Sequence, residues 1–140
     1  MMVDLSVHFS WREIGQVELD SQDKLKFPKS QPRPGLYRFE LAKGGVSQTY
    51  IGETDTLDRR FQHYRTPGPS QVTNLRLNAL MREVIASGGS VAVYVHTEGA
   101  VVAIEGDRKP PRLDLKPNRV LLEHAAIYAA REAGSSLLNI

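Results

Sequence analysis

Two strand-like runs joined by a glycine pair constrain the fold of this chain more than any other feature. Residues 37–41 and 46–51 each have the pattern of a β-strand, and Lys43-Gly44-Gly45 lies between them. Glycine readily adopts the positive φ angles of tight turns, so this pattern predicts a β-hairpin. Such a hairpin brings two similar triplets side by side, Gly35-Leu36-Tyr37 and Tyr50-Ile51-Gly52.

The rest of the chain predicts helices and short strands around this hairpin. A first helix can begin near residues 54–56, where threonine and aspartate can accept hydrogen bonds from first-turn amides, and it ends before Pro67. A second helix is predicted at about residues 73–87, and a third from Pro117 to Gly134. Residues 91–96 have the pattern of a strand, with residues 101–104 as a candidate hairpin partner.

The composition is typical of a single globular domain. With 140 residues, of which 41% are hydrophobic and 24% are charged, the chain is long enough to bury a core without covalent cross-links. It contains no cysteine, so a metal site must use oxygen or imidazole ligands, and disulfides and cysteine nucleophiles are excluded. No apolar run approaches the ~20 residues of a membrane-spanning helix, so we expect a cytoplasmic protein with no membrane partner.

Positive charge is concentrated in two segments, although the net charge is only +2. Residues 108–119 hold five basic residues against Asp114 alone, and residues 64–82 hold three arginines and no acid. Solvated surface charge explains each segment when it is taken alone, and contact with a polyanion is the alternative. The residues are Arg108, Lys109, Arg112, Lys116 and Arg119 in the first segment and Arg65, Arg76 and Arg82 in the second.

Glu123 is a charged residue on the apolar side of the last predicted helix. Successive helical residues turn by about 100°, which places Glu123 inside the arc formed by Val120, Leu122, Ala126, Ile127 and Ala130. A carboxylate on an apolar face must be neutral, paired with a cation or bound to a metal. A buried ion pair with an arginine and a functional site explain the pattern equally well.

Two further groups of polar side chains have both a structural and a functional explanation. On the first predicted helix, Arg60, His63 and Tyr64 are three and four residues apart and therefore share one face. Arginine can bind a phosphate through two N–H groups and histidine can relay a proton, whereas each alone could be a surface arginine or a core-edge histidine. Tyr37 and Tyr50 could form a cross-strand packing pair or could direct both hydroxyls into one polar pocket.

Taken in order, these residues resemble the motifs of the GIY-YIG nuclease family. Gly35-Leu36-Tyr37 corresponds to the first motif, with leucine in place of isoleucine, and Tyr50-Ile51-Gly52 matches the second. Arg60 lies eight residues after Gly52, where the family has its active-site arginine, and His63 follows at a frequent histidine position. The order is completed by Asn74, Glu123 and Asn139, so the resemblance covers about residues 35–140.

The resemblance implies a fold and a chemistry. The fold would be α/β in the broad sense (α+β), with a small mixed or antiparallel three-stranded central sheet flanked by helices over residues 35–140 and an N-terminal arm at residues 1–34. The chemistry would be phosphodiester hydrolysis by an endonuclease, with DNA preferred over RNA and with Mg²⁺ or Mn²⁺ held by Glu123. A homodimer is compatible with the resemblance. The alternative is a noncatalytic nucleic-acid-binding or interaction module that keeps the fold.

The resemblance also implies roles for individual residues. Tyr37 would help to deprotonate the attacking water, Arg60 and Tyr50 would hold the scissile phosphate, and His63 would support the proton transfer or contact phosphate. Asn139 would anchor the site, and Gly52 and Asn74 would support it. Contacts to the nucleic-acid backbone, which carry no sequence information, would come from Arg65, Arg76, Arg108, Lys109, Arg112, Lys116 and Arg119.

Overall fold

The hairpin predicted around Gly44 and Gly45 forms the centre of the fold in a computed structural model, which describes residues 1–139. Its strands pair antiparallel along their whole length, from Gly35 opposite Thr54 to Lys43 opposite Val46. Gly44 and Gly45 have φ angles of 58° and 80°, as expected for a two-residue turn with positive φ at both positions. The hairpin prediction is therefore confirmed.

The described residues form nine strands and three helices. Five of these elements were predicted to within two residues at both ends, namely the second helix, the last helix, the first hairpin strand, the strand before residue 97 and the strand at residues 101–104. The elements are β1 (Leu5–His8), β2 (Arg12–Gln16), β3 (Glu18–Leu19), β4 (Leu25–Lys26), β5 (Gly35–Lys43), β6 (Val46–Thr54), α1 (Leu57–Arg65), α2 (Val72–Ala86), β7 (Ser90–His96), β8 (Val101–Ile104), β9 (Asp107–Lys109) and α3 (Lys116–Glu132).

The central sheet has four antiparallel strands in the order β2-β7-β5-β6, so the expected number of three was wrong. The additional strand comes from the N-terminal arm, because β2 hydrogen-bonds to the free edge of β7. The arm also supplies Val17 and Leu25 to the main core, where they are 3% and 0% exposed. Residues 1–34 therefore share a hydrophobic core with the hairpin and its helices.

Residues 101–104 do not pair with residues 91–96, which corrects the prediction of a second hairpin there. Both edges of β7 are already occupied, one by β2 and the other by β5. Strand β8 pairs instead with β1 and β9 in a separate three-stranded sheet.

The two faces of the central sheet bury different helices, as strand alternation requires. Tyr37 and Phe39 point to the face covered by α1 and α2, where they pack with Phe61, Tyr64 and Met81. The opposite face packs against α3, where Ile51 contacts Ala126 and Ala130 and Leu36 shares a cluster with Leu122. Strand β6 lies at the sheet edge and packs against α3.

Helix α1 begins where it was predicted to begin, but for a different reason. Thr56 occupies the N-cap position and makes no side-chain cap hydrogen bond. The first-turn amides of Leu57 and Asp58 instead donate to the carbonyls of Arg33 and Gln31, at 2.9 and 3.3 Å. The arm therefore supplies acceptors that a cap residue would otherwise provide.

The segment after α3 runs alongside the edge strand β6. The amide of Thr49 donates to the carbonyl of Ser136 at 2.8 Å, and the amide of Leu138 donates to the carbonyl of Thr49 at 2.7 Å. The bridge is parallel, between Thr49 and Leu137. Across residues 1–139, no helix combines the length and the apolar character needed to span a membrane.

Candidate active site

The edge strand and its neighbours bring together most of the residues predicted to be catalytic. Tyr37 comes from β5, Tyr50 from β6, Arg60 from α1 and Glu123 from α3. Gly52 is needed beside Tyr37, because a Cβ atom at position 52 would overlap the tyrosine ring and its hydroxyl. The second glycine-ending triplet thus makes room for the tyrosine of the first.

Tyr37 and Tyr64 form a buried pair of hydroxyl groups. Their Oη atoms are 2.7 Å apart, and either can be the donor. Burial raises the pKa of Tyr37 and of Tyr64 well above the ordinary value, and the charge of Arg60 opposes this rise in both cases. Both phenols are therefore neutral at neutral pH, and a proton can move between them along the hydrogen bond.

Tyr64 was predicted to share a helical face with Arg60 and His63, but it was not given a role in the candidate site. The available signal was its position four residues after Arg60, on the same helical face. An apolar helix face contains tyrosines for packing alone, and Tyr64 does pack against Phe39, with ring centroids 5.3 Å apart. The hydroxyl contact with Tyr37 depends on how α1 lies on the sheet, which the sequence does not state.

Arg60 is a half-buried cation next to these hydroxyls. Burial lowers the pKa of Arg60, but the neighbouring Tyr37, Tyr64 and Glu53 outweigh burial and raise the pKa above its ordinary value. Within residues 1–139 the guanidinium has no carboxylate partner at ion-pair distance. Its neighbour Arg59 is exposed and paired with Asp55 at 2.9 Å, as expected for the solvent side of the helix. Arg60 is thus the helix cation that can still take an anion.

Tyr50 both packs against Tyr37 across the hairpin and lines a cleft, the two alternatives considered for it from the sequence. Its ring lies near that of Tyr37, with centroids 6.3 Å apart and planes 29° apart, so the tyrosines pack across the hairpin. Tyr50 also lines an open cleft of about 530 Å³ whose walls include Glu123, Ile127 and Asn139. Burial raises the pKa of Tyr50, with the Tyr64 hydroxyl partly offsetting the rise.

Glu123 is largely buried in the wall of this cleft and lacks an arginine partner among the described residues. Its side chain is 20% exposed, and its one partner within ion-pair range among the described residues is the exposed ring of His124, at 3.6 Å. Burial raises the pKa of Glu123, and the negative charge of Glu53 raises it further. The buried ion pair considered for Glu123 forms instead at Glu53, whose carboxylate accepts a hydrogen bond from Arg119 Nε at 2.8 Å.

The side chain of Asn139 binds the backbone of the edge strand β6. Its side-chain N–H donates to the carbonyl of Ile51 at 2.6 Å, while its oxygen accepts from the amide of Ile51 at 3.0 Å. These two bonds satisfy the backbone amide and carbonyl of Ile51, which lies between Tyr50 and Gly52 on the edge strand.

His63 and Asn74 form no hydrogen bond with the tyrosine pair among residues 1–139. His63 is half-buried on α1 and makes no side-chain hydrogen bond with the part of the chain that the structure describes. Asn74 lies near the start of α2, and its amide donates to the side chain of Gln71 at 3.1 Å, so its contact is local. The hydroxyl partner of Tyr37 is Tyr64 rather than either of these residues.

Three of the arginines proposed to bind nucleic acid are used inside the fold. Arg119 is 5% exposed and bound to Glu53, so its prediction as a surface contact is wrong: pairing across the α3–β6 interface removes it from solvent. Arg65 pairs with Asp20 at 2.7 Å and so ties α1 to the arm. Arg76 donates to the carbonyl of Leu138 at 3.0 Å.

The other four cations predicted to bind nucleic acid are exposed and lie in the segment from β9 to the start of α3. Arg108 and Lys116 are exposed, Lys109 is exposed and 3.4 Å from Asp107, and the exposed Arg112 pairs with Asp114 at 2.7 Å. Contact with a polyanion from this segment remains a prediction.

The donor set at Glu123 suits a hard divalent cation held by few protein ligands. Among residues 1–139 no group of three or more acidic or histidine side chains could surround a metal ion. Glu123 offers one carboxylate in an open cleft, and Mg²⁺ commonly binds one or two carboxylates and keeps several waters or takes substrate phosphate oxygens. The residues present therefore fit such an ion.

Comparisons with known proteins identify the fold. No family model and no curated protein sequence matches the chain. Among solved structures, the chain is similar to a mutant of bacteriophage T4 EndoII in which a glutamate is replaced by alanine, with a TM-score of 0.60 and 18% identity over 93% of this chain and 92% of that one. A match to the restriction endonuclease Hpy188I in complex with product DNA has a TM-score of 0.44 and 12% identity, over 91% of this chain and 78% of that one. The chain therefore has the fold of the GIY-YIG nucleases.

Proposed function

We propose that this protein is a divalent-metal-dependent endonuclease that hydrolyses phosphodiester bonds in DNA. One observation carries the proposal: the guanidinium of Arg60, which has no carboxylate partner among residues 1–139, lies beside the Tyr37–Tyr64 hydroxyl pair, near the cleft that Glu123 lines. Phosphodiester hydrolysis places negative charge on the phosphate oxygens and requires removal of a proton from water. A free cation, a hydroxyl relay and an unpaired carboxylate meet these requirements together.

Arg60 and Tyr50 would position the substrate. The guanidinium can donate two parallel hydrogen bonds to the nonbridging oxygens of one phosphate. Tyr50 faces the same cleft and can donate a hydrogen bond from its hydroxyl. These contacts would hold the phosphorus atom in reach of a water molecule near Tyr37.

Tyr37 would accept the proton of the attacking water. Since burial raises the pKa of Tyr37, a free phenolate at this position is costly in the absence of substrate. The 2.7 Å contact with Tyr64 supplies a route, because Tyr37 can pass its own proton to Tyr64 as it takes one from water, while Tyr64 releases its own hydroxyl proton towards solvent. His63 could then receive or release the proton at the edge of the site.

Glu123 would hold Mg²⁺ or Mn²⁺ through its carboxylate. When bound, such an ion would supply positive charge that stabilises the oxygens on which negative charge develops. A pKa raised by burial and by Glu53 favours either protonation of Glu123 or binding of a cation, and a divalent cation removes the repulsion between the two carboxylates.

DNA binding would come mainly from the exposed cations between β9 and α3. Arg108, Lys109 and Lys116 are exposed, so contact with backbone phosphates requires no rearrangement of the core. Such contacts provide affinity without sequence readout.

A plasmid-nicking assay with Mg²⁺, with Mn²⁺ and with a chelator tests this function. We expect supercoiled DNA to be cut with either ion and to remain intact in the chelator. A noncatalytic binding module would retard the plasmid in a gel and cut it under none of the three conditions, and that result would reject the proposal.

A further inference from the structure

An exposed aromatic ring lies in the cleft without a part in the proposed chemistry. Tyr128 on α3 is 64% exposed, and it lines the same cleft of about 530 Å³ as Glu123 and Tyr50. A tyrosine ring in this position contributes little burial to the fold. Arg131 lines the cleft as well and forms no ion pair with any residue of the described range.

These side chains follow one another along α3. Ile127 and Arg131 come four and eight residues after Glu123, so all three lie in one row on the helix surface, with Tyr128 beside it. At 1.5 Å per residue, Tyr128 lies about 7.5 Å and Arg131 about 12 Å beyond Glu123 along the helix axis. A DNA strand advances ~3.4 Å per nucleotide, so these distances correspond to roughly two and three to four nucleotides. A strand whose scissile phosphate lies at Glu123 could therefore continue past both residues.

We propose that Tyr128 stacks on an unpaired base of the DNA substrate and that Arg131 binds a backbone phosphate beyond it. This inference rests on the proposed function and adds a class of substrate: DNA that has unpaired nucleotides next to the cleavage position. The faces of bases inside a duplex are covered by their neighbours, whereas an unpaired base can place its face on an aromatic side chain.

The arrangement also implies that the substrate is not selected by its base sequence. Every base has a π-face, so stacking on tyrosine tolerates any sequence, and a phosphate contact reads no base. Selection in this part of the cleft would follow the structure of the DNA rather than its sequence.

Equilibrium binding in a chelator, where no cutting occurs, tests the inference with one oligonucleotide as a single strand and as a fully paired duplex. Tyr128→Leu removes the ring and keeps an apolar side chain, whereas Tyr128→Phe keeps the ring. We expect Tyr128→Leu to bind the single strand about 5-fold to 100-fold more weakly than the parent protein does and to bind the duplex with the parental affinity. Tyr128→Phe should bind both forms of DNA as the parent does. Val72→Ala, at an exposed apolar position on α2 outside the cleft, is the matched control and should bind as the parent does.

The Arg131 contact has its own readout. Arg131→Gln should reduce the slope of log affinity against log salt for the single strand by about 1. An unchanged slope would remove Arg131 from the proposed site.

The outcomes separate this inference from the function beneath it. If the parent protein binds neither form of DNA, the proposed function and the stacking site are both rejected. If the parent binds the single strand and Tyr128→Leu binds it equally well, or weakens single-strand and duplex binding alike, the stacking site alone is rejected. Because Tyr128 is exposed, we expect each variant to melt at the temperature of the parent, which a thermal scan checks.

Discussion

Among the single side chains of the candidate site, Tyr64 has the most direct contact with the proposed base, Tyr37. Its hydroxyl lies 2.7 Å from that of Tyr37, and both groups are buried. A phenol whose pKa is raised by burial gives up a proton readily only when it can take one in return or when cationic charge approaches it. The pair therefore acts as a unit, in which removal of either hydroxyl interrupts the transfer.

The first prediction concerns this pair. Tyr37→Phe should slow single-turnover cleavage by about 10²- to 10⁴-fold, the usual range for general-base assistance, and Tyr64→Phe should cause a loss of at least about 10²-fold. Both changes keep the ring and its packing, so DNA binding should barely change. Tyr94→Phe, on β7 and outside the cleft, is the control and should cut at the parental rate. If Tyr64→Phe cuts normally across the pH range, the relay through Tyr64 is wrong.

A second prediction compares two neighbouring arginines. Arg60→Ala should lose about 10²- to 10³-fold in the cleavage step, because it removes a preorganised donor to the phosphate oxygens. Arg59→Ala is the matched control, since Arg59 is exposed and bound to Asp55, and it should cut at the parental rate. Single-turnover rates at saturating protein measure both variants. Equal rates for the two variants would show that the helix cations are interchangeable and would contradict the assigned phosphate contact.

Some of these residues could be recognised from the sequence, and others could not. Glu123 could be singled out because a carboxylate on an apolar helix face must be neutral, paired or metal-bound, and the structure places it in a cleft without an arginine partner among residues 1–139. Tyr64 was missed, because a tyrosine on an apolar face satisfies the packing pattern whether or not its hydroxyl has a partner. Arg119 was misread as surface charge, because its burial depends on Glu53, which is 66 residues away in the chain.

At the scale of elements, the Glu53–Arg119 pair joins the edge strand β6 to α3. The two side chains are 14% and 6% exposed, and Arg119 also donates to the carbonyl of Leu113 at 2.9 Å. Arg119 precedes Glu123 by one helical turn, so the pair fixes the part of α3 that carries the candidate metal ligand. The ion pair thereby fixes the position of α3 relative to β6, the two elements that carry Glu123 and Tyr50 in the cleft walls.

The third prediction follows from this buried pair. Arg119→Met should lower the free energy of unfolding by about 3 to 5 kcal/mol, because it leaves the Glu53 carboxylate buried without its partner. Adding Glu53→Leu should recover part of this loss, since the double variant buries no unpaired charge. Arg112→Met, at an exposed surface pair, is the control and should melt like the parent. Denaturant unfolding of the four proteins measures the effect, and an Arg119→Met protein as stable as the parent would contradict it.

The fourth prediction concerns the exposed strand β9. Replacing Arg108 and Lys109 with alanine should weaken binding to DNA of any sequence and should reduce the salt slope by about 2, one for each lost phosphate contact. Lys24 and Lys43 are exposed cations elsewhere on the surface, and their double alanine variant is the matched control. A salt slope that is the same for both double variants would exclude β9 from the DNA-binding surface.

Local elements were easier to predict from the sequence than the pairing between them. The Gly44-Gly45 turn and the apolar periodicity of α2 are local signals, and both gave the right elements. The fourth strand β2 and the pairing of β8 with β1 depend on which strand edges remain free after the hairpin and β7 have paired. That information is distributed over the whole chain, so periodicity within a window does not contain it.

At the scale of the whole molecule, the candidate site lies where four distant parts of the chain meet. The hairpin supplies Tyr37 and Tyr50, α1 supplies Arg60, α3 supplies Glu123, and Asn139 binds the backbone of the edge strand. Strand β6 is an edge that could otherwise pair with another chain, and the segment after α3 covers part of it. The exposed edge of the sheet therefore borders the candidate site, and the segment after α3 covers part of that edge.

The account depends most on Glu123, and one measurement addresses it directly: single-turnover cleavage of DNA by Glu123→Gln across a titration of Mg²⁺. We expect no cleavage at any Mg²⁺ concentration, with DNA binding close to that of the parent protein. The melting temperature should also stay near that of the parent, because Glu123 has no arginine partner among the described residues and the substitution therefore leaves no arginine unpaired. Glu132→Gln, at the exposed end of α3, is the control and should cut at the parental rate. A folded Glu123→Gln protein that cuts DNA as fast as the parent would contradict the account.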